Sequence, residues 1–104
     1  MSIIKVIIPA YNEQNSIAYV INDIPDFVDE IIVINNKSTD NTSDFAKQAG
    51  ATVLTETQKG YGYACLKGMD YISKQNVKPD IIVFLDGDYS DFPEELTKII
   101  KPIL

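Results

Sequence analysis

Histidine and tryptophan are absent from this 104-residue chain, and cysteine occurs once, at Cys65. Without histidine, the chain lacks the side chain that most often serves as a general base or metal ligand near neutral pH. A single cysteine cannot form an intrachain disulfide, which fits a reducing compartment, and we expect a cytoplasmic protein. Basic residues are also few, because 9 Lys and Arg face 15 Asp and Glu, for a formal net charge of −6. Since a nucleic-acid-binding domain needs a basic face, that class is disfavoured.

Long apolar runs are missing as well. No segment reaches the roughly 18 to 20 apolar residues that cross a bilayer. The apolar start, Ile3–Ala10, contains Lys5 and predicts a strand and not a signal peptide. An apolar content of 45% argues against disorder. The length suffices for one core, so we expect a single domain over residues 1–104.

Short β-branched runs alternate with helical patterns along the whole chain. The predicted strands are Ile3–Ile8, Glu30–Ile34, Ala51–Thr55 and Asp80–Leu85. The first predicted helix lies within Glu13–Ile24, and the second is near Thr42–Ala49. The third is about Tyr61–Lys74, with Cys65, Met69 and Ile72 on its apolar stripe, and a fourth begins at Pro93 and is stopped by Pro102. Nearly continuous apolar strands joined by helices predict an α/β fold, with about four parallel strands and helices on both faces.

Polar clusters follow each predicted strand, and ligands of open parallel sheets bind beyond the carboxyl ends of the strands. After the last strand comes Asp86-Gly87-Asp88. Residues two apart on an extended backbone point the same way, so the carboxylates of Asp86 and Asp88 can face one point. Two negative charges held this close repel each other unless a cation lies between them. Hard cations such as Mg²⁺ or Mn²⁺ suit these ligands and bridge to phosphates. A solvated acidic turn is the alternative for an isolated pair.

The other clusters offer groups suited to a nucleotide. Tyr11 has a flat face for a base, and Glu13 has acceptors for a ribose diol, although a rim aromatic and a helix-terminal charge explain them equally well. The amides of Asn35 and Asn36 can pair with the edge of a base. Lys59 and Gly60 precede a predicted helix and could receive a phosphate, but their spacing matches neither the dinucleotide fingerprint nor the P-loop.

Two further features are better explained by structure than by ligands. Asp40 and Thr42 suit the capping of the second predicted helix. Gly68 suits close packing of the third.

Four motifs, taken in order, resemble the family 2 glycosyltransferases, which have the GT-A fold and use nucleotide-diphosphate sugars. The most similar variant is the dolichyl-phosphate mannose or glucose synthase type. The motifs are Ile7-Ile8-Pro9-Ala10-Tyr11-Asn12-Glu13, Val33 to Thr42, Lys59-Gly60-Tyr61-Gly62 and Phe84-Leu85-Asp86-Gly87-Asp88.

The resemblance implies a role for each matching residue. The nucleoside pocket would be lined by Pro9, Tyr11, Glu13, Val33 and Asn35. Asp86 and Asp88 would hold Mg²⁺ or Mn²⁺ against the diphosphate of a UDP- or GDP-linked sugar, with Gly87 beside the sugar phosphate. The sugar would pass to an acceptor hydroxyl or lipid phosphate, and the full-length parent would work at the membrane surface.

Two departures from the family pattern limit these expectations. The family usually has an acidic residue at the position of Asn35, so the contact with the base is weakened. Complete members also continue beyond this length, and the missing part carries the acceptor site. We therefore expect donor binding without efficient transfer. No residue is assigned as the acceptor's base, although Glu13 and Glu56 are nearby acids.

A longer family sheet also implies that Asp80–Leu85 is left as an open edge here. We expect self-association through this edge or the neighbouring apolar surface. A single monomer boundary in sedimentation velocity at high concentration would contradict this.

Two other classes stay open. A metal-dependent nucleotidyltransferase would use similar carboxylates, but it often carries a basic Gly-rich loop where this chain has Pro9-Ala10-Tyr11-Asn12-Glu13. A non-catalytic, self-associating fragment is the third class, and the short length favours it.

Overall fold

The computed structural model describes residues 3–85 and 87. The strands are β1 (Ile4–Ala10), β2 (Glu30–Asn35), β3 (Thr52–Thr55) and β4 (Ile81–Phe84). The helices are α1 (Ile17–Asn22), α2 (Thr42–Gln48) and α3 (Tyr61–Ser73). Asp86, Asp88 and the predicted helix that begins at Pro93 lie outside the described residues.

All the described strands are parallel, in the order β3-β2-β1-β4. This confirms the predicted α/β class. β4 lies at one edge of the described sheet, where Phe84 is 39% exposed. Self-association through this edge stays a prediction. Among residues 3–85 and 87, no helix is both long and apolar enough to cross a bilayer.

Alternate residues of the central strands build a core on each face of the sheet. On one face, Val6, Ile8 and Val33 pack with α1 and α2. On the other face, Ile7, Ile32 and Ile34 pack against α3. The apolar residues that recur at helical spacing in and just after α1 are all buried: Ile17, Val20, Ile21 and Ile24.

Several predicted boundaries were wrong. β1 continues through Pro9 and Ala10, which pair with Ile34 and Asn35 of β2. A proline is tolerated here because backbone groups alternate between the two neighbouring strands. Ala10 accepts from Asn36 on the β2 side, whereas Ile7 accepts from Leu85 on the β4 side. The nitrogen of Pro9 therefore faces the β4 side beyond the end of β4, where no ladder bond is needed.

The apolar stripe predicted for α3 was wrong in part, because Ile72 is buried but Cys65 is only half-buried. Met69 is 43% exposed, and the buried residues are Ala64, Gly68 and Ile72. The helix presents its smallest residues to the sheet because its backbone lies close to Ile7. A Cβ added at Gly68 would lie 2.8 Å from Ile7 Cγ2, which confirms Gly68 as a packing position.

Glu30 joins several elements near the amino ends of the strands. Its carboxylate accepts from Lys5 at 2.8 Å, from Tyr71 at 2.7 Å and from Thr52 at 2.8 Å, and Gln75 donates to it at 3.2 Å. Burial raises the pKa of Glu30, but these hydrogen bonds outweigh burial and lower the pKa to about 2. The carboxylate consequently stays ionised and ties β1, β2, β3 and α3 together.

Candidate functional site

A pocket of about 270 Å³ opens beyond the carboxyl ends of β1, β2 and β4, at the start of α3. It brings together residues from all four sequence motifs. The lining residues are Pro9, Ala10, Tyr11, Glu13, Asn36, Tyr61, Ala64 and Gly87.

The loop after β1 is fixed by hydrogen bonds to the loop after β2. Glu13 N donates to Thr42 Oγ1 at 2.9 Å, and Gln14 N donates to Asp40 Oδ2 at 3.3 Å. Asn12 also bonds across the gap, because its N–H donates to Ser38 Oγ at 2.9 Å. The side chains around Asp40 thus position the segment that carries Tyr11 and Glu13.

Capping of α2 by Asp40 and Thr42 is not what the structure shows, because the N-cap residue is Asn41 and it makes no side-chain cap hydrogen bond. Asp40 Oδ1 accepts from the backbone N–H of Thr42 at 3.0 Å and also from its hydroxyl. Burial raises the pKa of Asp40, but the hydrogen bonds from Thr42 outweigh it and leave the pKa below its ordinary value. Asp40 therefore stays a charged acceptor that orients the Thr42 hydroxyl toward Glu13.

Tyr11 and Lys59 form a pair at the mouth of the pocket. Lys59 Nζ lies 4.6 Å from the centroid of the Tyr11 ring, within the range of a cation–π contact. The ring is 43% exposed. An aromatic face suited to a base and an ammonium group suited to a phosphate consequently lie side by side.

The side chain of Asn36 forms hydrogen bonds with the backbone of the loop before α3. Its side-chain nitrogen donates to the carbonyls of Gln58 at 2.8 Å and Glu56 at 3.3 Å, and its side-chain oxygen accepts from Gly60 N at 2.8 Å. The side chain is buried, and each of its polar atoms is used. Asn36 therefore fixes the loop that carries Lys59.

Gly87 is the described member of the Asp-Gly-Asp motif, and it lies buried against the loop after β1. A Cβ added at Gly87 would lie 3.2 Å from Glu13 Cγ and 3.4 Å from both Ala10 Cβ and Ile17 Cδ1. The lack of a side chain lets this backbone reach the pocket wall. Asp86 and Asp88 flank it in sequence.

Not every predicted site residue lines the pocket. Pro9, Tyr11, Glu13 and Gly87 do. Val33 is fully buried in the core. Asn35 faces away, since its amide nitrogen donates to Ser43 Oγ at 2.6 Å and its oxygen accepts from Ser38 N at 2.9 Å.

The pocket residues absent from the predicted nucleoside set are Ala10, Asn36, Tyr61 and Ala64. The sequence predicts Asn36 together with Asn35 as a candidate for pairing with a base, and strand alternation could have separated the two, because Asn36 shares a face with Ile32 and Ile34. Alternation alone does not say which face of the sheet α3 covers, so it could not have shown that the pocket lies on this face.

The fold and the pocket define an α/β domain with a candidate ligand site at the carboxyl ends of its strands, and comparison with known proteins identifies its family. The sequence model of glycosyl transferase family 2 matches residues 5–104. The chain belongs to this family, and its domain is a glycosyltransferase domain.

Individual relatives agree with this assignment. The chain is 40% identical to protein RfbJ of Shigella flexneri, over 94% of this chain and 77% of that protein. It is 29% identical to the UDP-N-acetylglucosamine–dolichyl-phosphate N-acetylglucosaminyltransferase of Methanococcus voltae, over 98% of this chain and 47% of that protein.

Among solved structures, the chain is similar to glucosyl-3-phosphoglycerate synthase of Mycobacterium tuberculosis in complex with UDP. The TM-score is 0.77 at 30% identity, over 93% of this chain and 38% of that enzyme. The same enzyme has been crystallised with Mn²⁺, UDP and glucosyl-3-phosphoglycerate, where the TM-score is 0.70 at 33% identity, over 83% of this chain and 33% of that enzyme. These matches confirm the family and the fold that the motifs predicted. The chain spans about a third of the solved enzyme's length.

Proposed function

We propose that this chain is the nucleotide-sugar-binding half of a glycosyltransferase and that a divalent cation helps it to bind the donor. The observation that carries the proposal is the pocket. It joins Pro9, Tyr11 and Glu13, from the first motif, to Gly87, from the last, although the sequence separates them by most of the chain. The similarity to an enzyme crystallised with UDP and Mn²⁺ supports a nucleoside diphosphate and a divalent cation as the ligands.

The described residues supply groups for each part of a nucleotide. The exposed face of Tyr11 suits stacking with a base. The carboxylate of Glu13, at the pocket wall, suits the hydroxyls of a ribose. A base that stacks on Tyr11 displaces Lys59, whose ammonium group can then move toward the diphosphate. Asn36 and Asp40 hold the two loops in place for these contacts.

Val33 and Asn35 have a supporting role in this proposal. Val33 packs beneath the pocket, and Asn35 holds Ser38 and Ser43. A direct contact of Asn35 with the base would require its amide to leave both partners.

The residues around Gly87 fit a divalent cation. Aspartate carboxylates are the hard oxygen ligands that Mg²⁺ and Mn²⁺ prefer, and Asp86 and Asp88 would supply them. Gly87, which lies between them in sequence, is at the pocket wall, with its backbone against Ala10 and Glu13. When bound, the cation offsets the negative charge that develops on the leaving diphosphate. The protein's share is to align the donor sugar for attack by an acceptor hydroxyl or a lipid phosphate.

The proposal is tested by titrating UDP and GDP into the chain, each with and without Mn²⁺, in a calorimeter. We expect at least about tenfold tighter binding of one diphosphate with Mn²⁺, and we expect Asp88→Asn to remove this gain. Asp26→Asn removes one charge from an exposed position outside the pocket and should bind as the unmodified chain does.

Two results would contradict the proposal. Preference for a triphosphate with release of pyrophosphate would indicate a nucleotidyltransferase. Failure to bind either diphosphate would leave a non-catalytic fragment.

A further inference from the structure

The pocket residues that the structure describes include one carboxylate, that of Glu13, and no basic side chain. The chain as a whole also has a formal net charge of −6. An anionic ligand in this pocket therefore needs a positive charge from outside the lining. Lys59 brings one to the edge of the pocket, because its Nζ lies 4.6 Å from the centroid of the Tyr11 ring, and Tyr11 is a lining residue.

The backbone on both sides of Lys59 is held in place. The amide nitrogen of Asn36 donates to the Gln58 carbonyl at 2.8 Å, and Gly60 N donates to the Asn36 side-chain oxygen at 2.8 Å. The Lys59 side chain, in contrast, is exposed and ends in an ammonium group on a flexible four-carbon stem. The ammonium group can therefore leave the Tyr11 ring without a change in the loop that carries it.

Lys59 and a nucleobase compete for the same ring. Tyr11 is 43% exposed, so a base reaches the ring from the side that is open to solvent, where the exposed Lys59 also lies. A cation–π contact at an exposed site is worth a factor of about two to five in affinity. A nucleoside that displaces the ammonium group breaks this contact and offers it no new partner.

A nucleotide changes this balance because it carries phosphate. The displaced ammonium group of Lys59 then has an anionic acceptor within the same ligand. A charge-assisted hydrogen bond to such an acceptor is stronger than an exposed cation–π contact, so the exchange is favourable. The same side chain consequently opposes one class of ligand and favours the other.

We propose that Lys59 is a specificity-determining residue, which lowers the affinity of the pocket for free nucleosides and raises its affinity for nucleoside diphosphates. The inference rests on the proposed function, because it takes Tyr11 as the ring on which the base stacks. It goes further, since it assigns opposite effects on two ligands to one side chain. A residue that only supported the loop would change both affinities in the same direction.

The test titrates uridine and UDP into the chain without divalent metal and follows binding by nuclear magnetic resonance. Guanosine and GDP take their place if calorimetry favours GDP. In Lys59→Ala we expect uridine affinity to rise about two- to fivefold and UDP affinity to fall at least about threefold. Lys59→Arg keeps a positive charge over the ring and should bind uridine no more tightly than the unmodified chain does.

The spectra also report the contact itself. In the unmodified chain, the ring current of Tyr11 should shift the ε-methylene protons of Lys59 upfield. Tyr11→Ala, or saturation with UDP, should move these protons back downfield. Lys47→Ala is the matched control, because it removes the same charge from an exposed position in the last turn of α2 and should bind both ligands as the unmodified chain does. Circular dichroism melting shows whether each variant is folded.

The outcomes separate this inference from the proposed function. If the unmodified chain binds neither UDP nor GDP, the proposed function fails and this inference fails with it. If a diphosphate binds but Lys59→Ala binds the nucleoside no more tightly than the unmodified chain, only the role of Lys59 is refuted. A tighter nucleoside with an unchanged diphosphate would also refute it, because the ammonium group would then not pair with the phosphates.

Discussion

Gly68 and Gly62 lie on the same helix but in opposite surroundings. Gly68 is buried, and a Cβ there would lie 2.8–3.2 Å from three atoms of Ile7. Gly62 is exposed, and a Cβ there would meet nothing within 4 Å. Substitutions at Gly68 and Gly62 therefore distinguish the effect of a glycine on packing from its effect on helix propensity.

Alanine at the two positions should change stability in opposite directions. Gly68→Ala should lower the free energy of unfolding by about 1–2 kcal/mol, because Ile7 is fully buried and has little room to move. Gly62→Ala should raise it by about 0.5–1 kcal/mol, since alanine favours the helix and nothing opposes it. Urea unfolding of both variants measures the difference. An equal gain at both positions would show that α3 can move away from β1.

Neighbouring asparagines show how one residue of register changes a role. Asn35 and Asn36 have the same side chain, yet β2 directs Asn35 toward α2 and Asn36 toward the pocket. Composition could predict that amides gather at this end of the strand. Which amide meets the pocket depends on the face that α3 covers.

The connecting loops after β1 and β2 act as one polar unit at the scale of elements. Thr42 is its centre: the residue is fully buried, its hydroxyl accepts from Glu13 N at 2.9 Å, and the same hydroxyl donates to Asp40. The Thr42 hydroxyl both donates and accepts a hydrogen bond, so an apolar side chain at this position would leave two polar partners without their hydrogen bonds.

Thr42→Val should therefore lower the free energy of unfolding by about 2–3 kcal/mol, because it leaves Glu13 N and an Asp40 oxygen without this partner. It should also weaken nucleotide binding, since the loop of Tyr11 is released. Urea unfolding and UDP titration measure the two effects. Thr55→Val, an exposed change on β3, should stay within about 0.5 kcal/mol. If Thr42→Val has the free energy of unfolding and the UDP affinity of the unmodified chain, the two loops do not depend on these hydrogen bonds.

For the whole molecule, the two ends of the sheet have different roles. The carboxyl ends carry the pocket, whereas a charged cluster of Glu30, Lys5, Tyr71, Thr52 and Gln75 holds the elements together near the amino ends. The hydrogen bond to Glu30 and burial raise the pKa of Tyr71. Tyr71 therefore stays a proton donor to Glu30 at neutral pH.

Glu30 makes the stability of the protein depend on pH. Its pKa is about 2 in the folded protein, against an ordinary value of 4.5, so the unfolded chain binds more protons between these values. The stabilisation is complete above the ordinary pKa and is lost as the pH falls toward about 2. After allowance for partial exposure, we expect a contribution of about 1–2 kcal/mol.

Glu30→Gln should lower stability by that amount near pH 7 and should flatten the loss of stability between about pH 5 and pH 3. Urea unfolding across this range gives the measurement. Glu56→Gln removes the same charge from a loop outside the cluster and should change stability near pH 7 by no more than about 0.5 kcal/mol. If Glu30→Gln keeps the acid sensitivity of the unmodified chain, other carboxylates are responsible.

The sequence by itself determined the alternation of strands and helices, the parallel sheet and the family. These follow from local patterns, because apolar period, turn residues and motif order are all properties of neighbouring residues. Only the tertiary structure decided that Asn36 and not Asn35 lines the pocket, that Met69 of α3 is exposed, and that Ser16 bonds to Gly87. Each of these depends on contacts between segments far apart in the chain, and the distance between two elements is set by the side chains of both.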